Sequence, residues 1–320
     1  MMKKIHYIYM VLVAVALASC NDWLDVQPHS QIEDSELFTT ESGYKEALAG
    51  VYSSMVSTST YAKEMTFGFI GVLGQEWDYY SSAMYDAVAT YDYEAAYPTN
   101  YIEGIWKNNY SGISNVNNLL AHIDDDVKLF SEGNYEVIKG EALALRAMLH
   151  FDLLRCFGVS FAVNSDMPSI PYSTALDYHV FPQLSVREAA LRVLQDLDDA
   201  EVLLKAGDPI ANGRTITELD DNGYLINRQL HLNYYAVKAL QARVYMWMGN
   251  YSEALVAADE VIASGAFSWS TLDNLEHGYD RCLADEHIFA LNNLTLQADV
   301  ADIYFTEGST NSFAINRERL

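Results

Sequence analysis

The stretch from Ala239 to Ala258 narrows the possible folds most. It reads as two helices that abut, with Gly249-Asn250 as the turn between them. Ala242, Tyr245, Gly249, Tyr251, Ala254 and Ala258 fall at tetratricopeptide spacing. Small residues at those positions let two antiparallel helices approach, and the tyrosines are expected to fill the groove between them. A unit of this kind cannot bury its apolar face alone, so a stack of further helical pairs is expected.

The rest of the chain supplies candidates. Residues 41–56 place Ala47, Leu48, Val51, Tyr52 and Met55 on one stripe, and residues 101–123 return to helical period with Ile105, Ile113, Val116, Leu119 and Ile123. Residues 134–157 carry Ile138, Ala142, Leu145 and Leu149 on one face, with Gly158 as a stop. Ser185 and Glu188 form a capping box that opens a helix running to about Leu204. The expected pairs are 41–56 with 101–123 and 134–157 with 185–204. Residues 57–100 lack helical period and are rich in Gly, Ser and Tyr, which predicts loops with short elements. Residues 210–230 read as a β-hairpin about Asp221-Asn222-Gly223. The fold class is therefore mostly α: tetratricopeptide-like stacked helical hairpins with long inserted loops and a few short strands.

The N-terminus predicts where the chain goes. Lys3 and Lys4 precede an apolar run, Met10 to Ala18, that is too short to span a bilayer. Leu17-Ala18-Ser19-Cys20 then gives the lipobox pattern, in which the Cys20 thiol accepts a diacylglycerol and becomes an acylated N-terminus. Several acyl chains on one residue anchor firmly. The expected organisation is a signal peptide over 1–19, a lipid-anchored tether over 20–34 and a helical body over 35–320. Asn21 after the cysteine points to the outer membrane, and Asp22 and Asp25 fit display on the cell exterior.

Charge excludes whole classes of function. The chain has 19 Lys and Arg against 44 Asp and Glu, a formal charge of -25, so no basic face for nucleic acid is expected. Three cysteines cannot build a disulfide framework or a dedicated zinc site, although Cys156 and Cys282 are free either to pair or to remain thiols. No HExxH, P-loop, GxSxG or GxGxxG is present, and no cofactor is expected. Asp124-Asp125-Asp126 and Asp198-Asp199 are adjacent residues that point apart, which reads as surface charge rather than a glycosidase pair. Glu218 to Gln229 imitates a calcium loop but ends in Gln, without the bidentate carboxylate.

These pieces together resemble the SusD/RagB family of nutrient-binding outer-membrane lipoproteins. The matching residues are Cys20-Asn21-Asp22-Trp23-Leu24-Asp25-Val26-Gln27-Pro28, then Leu48-Ala49-Gly50-Val51-Tyr52, then Trp106 with Asn115, Asn117 and Asn118. Gly140-Glu141-Ala142-Leu143-Ala144-Leu145-Arg146-Ala147 with Phe151 resembles the family's GEA-x-x-LRA-x-x-x-F pattern, and Ala242-Arg243-Val244-Tyr245 and Glu286-His287-Ile288-Phe289-Ala290 follow. The resemblance implies a passive binder, not an enzyme, that delivers an oligosaccharide, or in some members a peptide, to a SusC-type TonB-dependent transporter. It also implies a longer chain, with the C-terminal part of the family fold missing after Leu320.

Sugar binding calls for flat rings beside amides and carboxylates, on loops held by a rigid frame. Within residues 57–100 the candidates are Trp77, Asp78, Tyr79, Tyr80, Tyr91, Tyr93 and Asn100. Two roles are open to each ring: stacking on a sugar, or packing the loop onto the helices. The rival to a nutrient binder is a lipid-anchored helical scaffold in envelope assembly, which has no use for wet rings there.

Overall fold

A computed structural model describes residues 34–79, 84–176, 180–278, 280, 282–302 and 313–315. The signal, Cys20 and the tether up to Glu33 lie outside the described residues. The chain divides into residues 1–39 and 40–320. In the first unit Asp34–Leu37 forms one helical turn, with Thr39 Oγ1 donating to the Glu36 carbonyl at 2.8 Å.

The second unit is mostly helical. Its long helices are α1 (Glu41–Met55), α2 (Ala96–His122), α3 (Asn134–Phe157), α4 (Val186–Gly207), α5 (Tyr234–Met248) and α6 (Tyr251–Ala263). Each packs on the next in chain order, so the expected pairs form and the pairs themselves stack into a solenoid. Local chemistry sets several ends. Thr40 caps α1 by accepting the Gly43 amide at 3.2 Å. The Ser185–Glu188 capping box forms as the spacing predicts. Gly249, at φ +80°, closes α5: its own amide donates to Met246 O, and the Asn250 amide reaches back to Tyr245 O at 2.8 Å. That is a Schellman turn, and it folds α6 back beside α5.

The central helix is α3. Apolar residues line it on every side, and Glu141, Arg146, His150 and Asp152 are buried with them. It packs against α4 at Gly140, where an added Cβ would lie 2.7 Å from Leu204 Cγ and 3.3 Å from the Ala200 carbonyl.

Short antiparallel strands decorate the stack. β1 (Trp77–Tyr79) takes its register from Trp77↔Ile315 and Tyr79↔Phe313, pairing with β4 (Phe313–Ile315). β2 (Pro168–Pro171) pairs with β3 (Gln183–Ser185), with an irregularity between its two prolines. Phe69–Leu73 and Asp86–Ala89 add helical turns to the loop region.

Three expectations need correction. Helix α2 begins at Ala96 rather than Tyr101, because Pro98 sits in the first turn, where a missing N–H costs nothing. The supposed hairpin over 210–230 is no hairpin. Its core is two 3₁₀ turns, Asp220–Gly223 and Arg228–Leu230, with Asp221, Asn222 and Asn227 at positive φ. The Asn-Gly turn chemistry is present, but tertiary ion pairs take the flanking residues: Asp221 bonds Lys45 and Asn134, and Arg228 turns inward. Tyr251 is exposed rather than filling the groove between α5 and α6; Ala254 and Ala257 are buried there instead. Of the two roles left open to Cys156 and Cys282, the structure shows free thiols.

Candidate functional site

The most motif-like residues sit inside the stack. Glu141, fully buried on α3, accepts the Tyr52 hydroxyl at 2.9 Å, meets His231 Nδ1 at 3.0 Å and lies 2.6 Å from Arg228 Nη2. Arg228 also forks onto Asp208, both contacts at 3.0 Å, and Asp208 accepts the Tyr234 amide at the start of α5 at 3.1 Å. Burial alone would raise the Glu141 carboxyl, but Arg228 and His231 outweigh it and hold it at about 2. One network therefore ties α1, α3 and the segment entering α5.

A second network lies further along α3. Arg146 forks onto Asp196 of α4 with both bonds at 2.7 Å, and its Nη1 donates to Asn117 of α2 at 3.1 Å. Tyr172 donates to Asp196 at 2.6 Å, and its ring stacks on His150 with centroids 3.8 Å apart. His150 donates Nδ1–H to the Arg146 carbonyl at 2.8 Å and accepts the Ser173 amide at Nε2, 3.0 Å away. Only the neutral Nδ1–H tautomer makes both bonds. Burial keeps the imidazole neutral and pushes it down to about 3. Gly140, Glu141, Arg146 and Phe151 are thus buried positions on the central helix, and Glu141 and Arg146 register it against its neighbours.

The candidates in the loop region separate. Trp77 is only 9% exposed; its indole N–H donates to the Phe67 carbonyl at 2.7 Å and it packs with Phe69, Val72, Tyr85, Val88 and Ile105. It is a core ring, and the expectation of a wet Trp77 is corrected: with its donor satisfied and its faces covered, it offers no surface to a sugar. The backbones of Asp78 and Tyr79 pair with β4 through Ala314 and Phe313. Tyr80 lies outside the described residues. Glu64 supports this core from below, accepting the Phe69 amide at 2.9 Å and the Tyr85 hydroxyl at 3.1 Å.

What stays wet is the approach to α2. Tyr91 and Tyr93 are 46% and 49% exposed, and Tyr97 on the first turn of α2 is 44% exposed. Asn100 is exposed one turn further on. Tyr91 holds a left-handed backbone, φ +59°, pinned by Gln75 Nε2 donating to its hydroxyl at 2.8 Å. Thr99 donates to the Tyr93 carbonyl at 3.1 Å, which fastens the loop to the helix. The chain thereby presents open rings beside the exposed carboxylates of Asp92 and Glu94 on a fixed base. Tyr97 was not among the sequence candidates; its signal was its position next to Pro98 in the same tyrosine-rich run. Among the described residues no group of three or more His, Cys, Asp or Glu is arranged to hold a metal ion.

A small patch of exposed rings therefore stands on a helical solenoid. Residues 22–208 match the SusD-like family model described as "Starch-binding associating with outer membrane", and the chain belongs to that family. The SusD-like protein P38 of Formosa agariphila is 26% identical over 291 residues, which is 89% of this chain and 50% of that protein. The fold is similar to the crystal structure of a SusD-like carbohydrate binding protein from Bacteroides vulgatus, with a TM-score of 0.65 at 18% identity over 87% of this chain and 57% of that one. It is also similar to a laminarin binding SusD-like protein, with a TM-score of 0.53 at 20% identity over 76% of this chain and 49% of that one. The chain therefore spans about half the length of the curated relative it matches.

Proposed function

We propose that this chain is a cell-surface lipoprotein, acylated at Cys20 and held at the outer membrane, that binds an oligosaccharide and passes it to a SusC-type TonB-dependent transporter without chemically altering it. The family membership over residues 22–208 carries the reading. The exposed rings of Tyr91, Tyr93 and Tyr97 at the start of α2 support it at the level of a site, with Asn100 and the nearby carboxylates as hydroxyl partners. No described helix is long and apolar enough to cross a membrane, so attachment in this reading rests on Cys20 alone.

Calorimetry with a panel of neutral oligosaccharides, including β-glucan and starch fragments, tests the site. Tyr91→Ala and Tyr93→Ala are each expected to weaken the binding glycan by about tenfold, the loss of one aromatic stacking face worth ~1–1.5 kcal/mol. Unchanged affinity in both variants removes the patch from the site. Anchoring is read by fatty-acid labelling of cells, where Cys20→Ala is expected to abolish incorporation. Partnership is read by co-purification of a TonB-dependent transporter with the tagged chain.

A further inference from the structure

An open cavity of about 500 Å³ lies between α3 and α5, lined by Phe151, Arg155, Ala242, Arg243, Met246 and Trp247. It shares no lining residue with the tyrosine patch at the start of α2. We propose that this cavity is a second binding site that takes an anionic sugar residue, one carrying a carboxylate or a sulfate.

The argument begins with charge. The chain has 19 Lys and Arg side chains against 44 Asp and Glu, so a cavity lined by two arginines and no carboxylate stands out on it. Arg243 is exposed and makes no ion pair or hydrogen bond with any described residue. Helix α5, which carries it, contains no Asp or Glu at all. Arg155 faces it from α3. Its carboxylate partner is Asp152, buried and also held by the Tyr61 hydroxyl at 2.7 Å, so that pair is neutral and Arg243 leaves the cavity with net positive charge. The opposite side of α5 differs: there Lys238 is matched by Glu201 and Glu260 at 3.1 and 3.2 Å, and Asp198 lies close by.

The second element is an anchored ring. Trp247 is half-buried, held at steep angles by Phe151 and Phe161 with centroids 5.8 and 5.7 Å away. A fixed indole beside an unpaired guanidinium supplies both parts that a charged pyranose needs: a flat face for its C–H surface, and a planar fork for a carboxylate or sulfate. A neutral sugar would leave the fork idle.

The saccharide nature of the ligand rests on the function proposed above, and the test keeps the two separable. Calorimetry is run with a neutral oligosaccharide that binds at the tyrosine patch, an oligouronide, a sulfated oligosaccharide and an acidic peptide. At least one anionic saccharide is expected to bind, more weakly as salt rises from about 0.05 M to about 0.3 M. Arg243→Gln is expected to lower that affinity by about tenfold or more, with Arg243→Lys retaining part of it and neutral binding unchanged in both. Which anionic saccharide responds distinguishes carboxylate from sulfate. Equal affinity in wild type and Arg243→Gln, or binding of the peptide and of neither anionic saccharide, overturns the second site while the neutral ligand still binds. Loss of every saccharide, neutral ones included, overturns the function itself.

Discussion

At the residue scale, the interior ion pairs matter for register more than for raw stability. A buried pair gains little over an apolar replacement of the same shape, yet removing one partner strands the other. Glu141→Ala leaves Arg228 and His231 facing an empty position, and urea unfolding is expected to show a loss of about 3–5 kcal/mol. His150 adds a pH dependence. Its folded pKa, about 3, lies below its ordinary 6.5, so the unfolded chain takes up the proton first. The stabilisation from the neutral imidazole is complete above about pH 6.5 and is lost as pH falls toward about 3. Glu141 acts in the same direction lower down, between its ordinary 4.5 and about 2. Urea midpoints measured against pH are expected to fall in these windows, and His150→Gln is expected to flatten the upper one. A flat profile in the wild-type chain contradicts the tautomer assigned to His150.

At the element scale, the helices were legible where periodicity and caps agreed. The Ser185 box and the Gly249 turn are local chemistry that no tertiary contact opposes. Ser185→Ala is expected to cost about 1 kcal/mol by thermal unfolding. Gly140→Ala pushes a methyl group into Leu204 and is expected to cost about 1–3 kcal/mol, with Leu204→Ala restoring part of that in a double-mutant cycle. Trp77 was illegible for a specific reason. A Trp-Asp-Tyr-Tyr run in a Gly- and Ser-rich loop has the composition of a wet surface, and only the Phe67 carbonyl and the Phe69 cluster reveal that the ring turns inward. Residues 210–230 failed differently: the Asn-Gly turn signal was real, but Arg228 is claimed by Asp208 just before the segment and by Glu141 far away in sequence. Of the loop candidates, Tyr91, Tyr93 and Asn100 stand on the surface, where a segment rich in Gly, Ser and Tyr suggested wet side chains.

At the scale of the whole molecule, the solenoid carries an apolar stripe that is exposed among the described residues. Tyr251, Leu255 and Ile262 of α6 are exposed along one helical face, with Ala258 between them. An exposed apolar stripe of this kind invites association. Sedimentation velocity is expected to show concentration-dependent self-association that Leu255→Glu with Ile262→Glu suppresses without lowering the melting temperature. The placement of the signature residues has a wider consequence. Because Glu141, Arg146 and Asn117 are all committed to holding helices against one another, they fix the frame and leave the outward faces of the helices and loops free to differ without disturbing it.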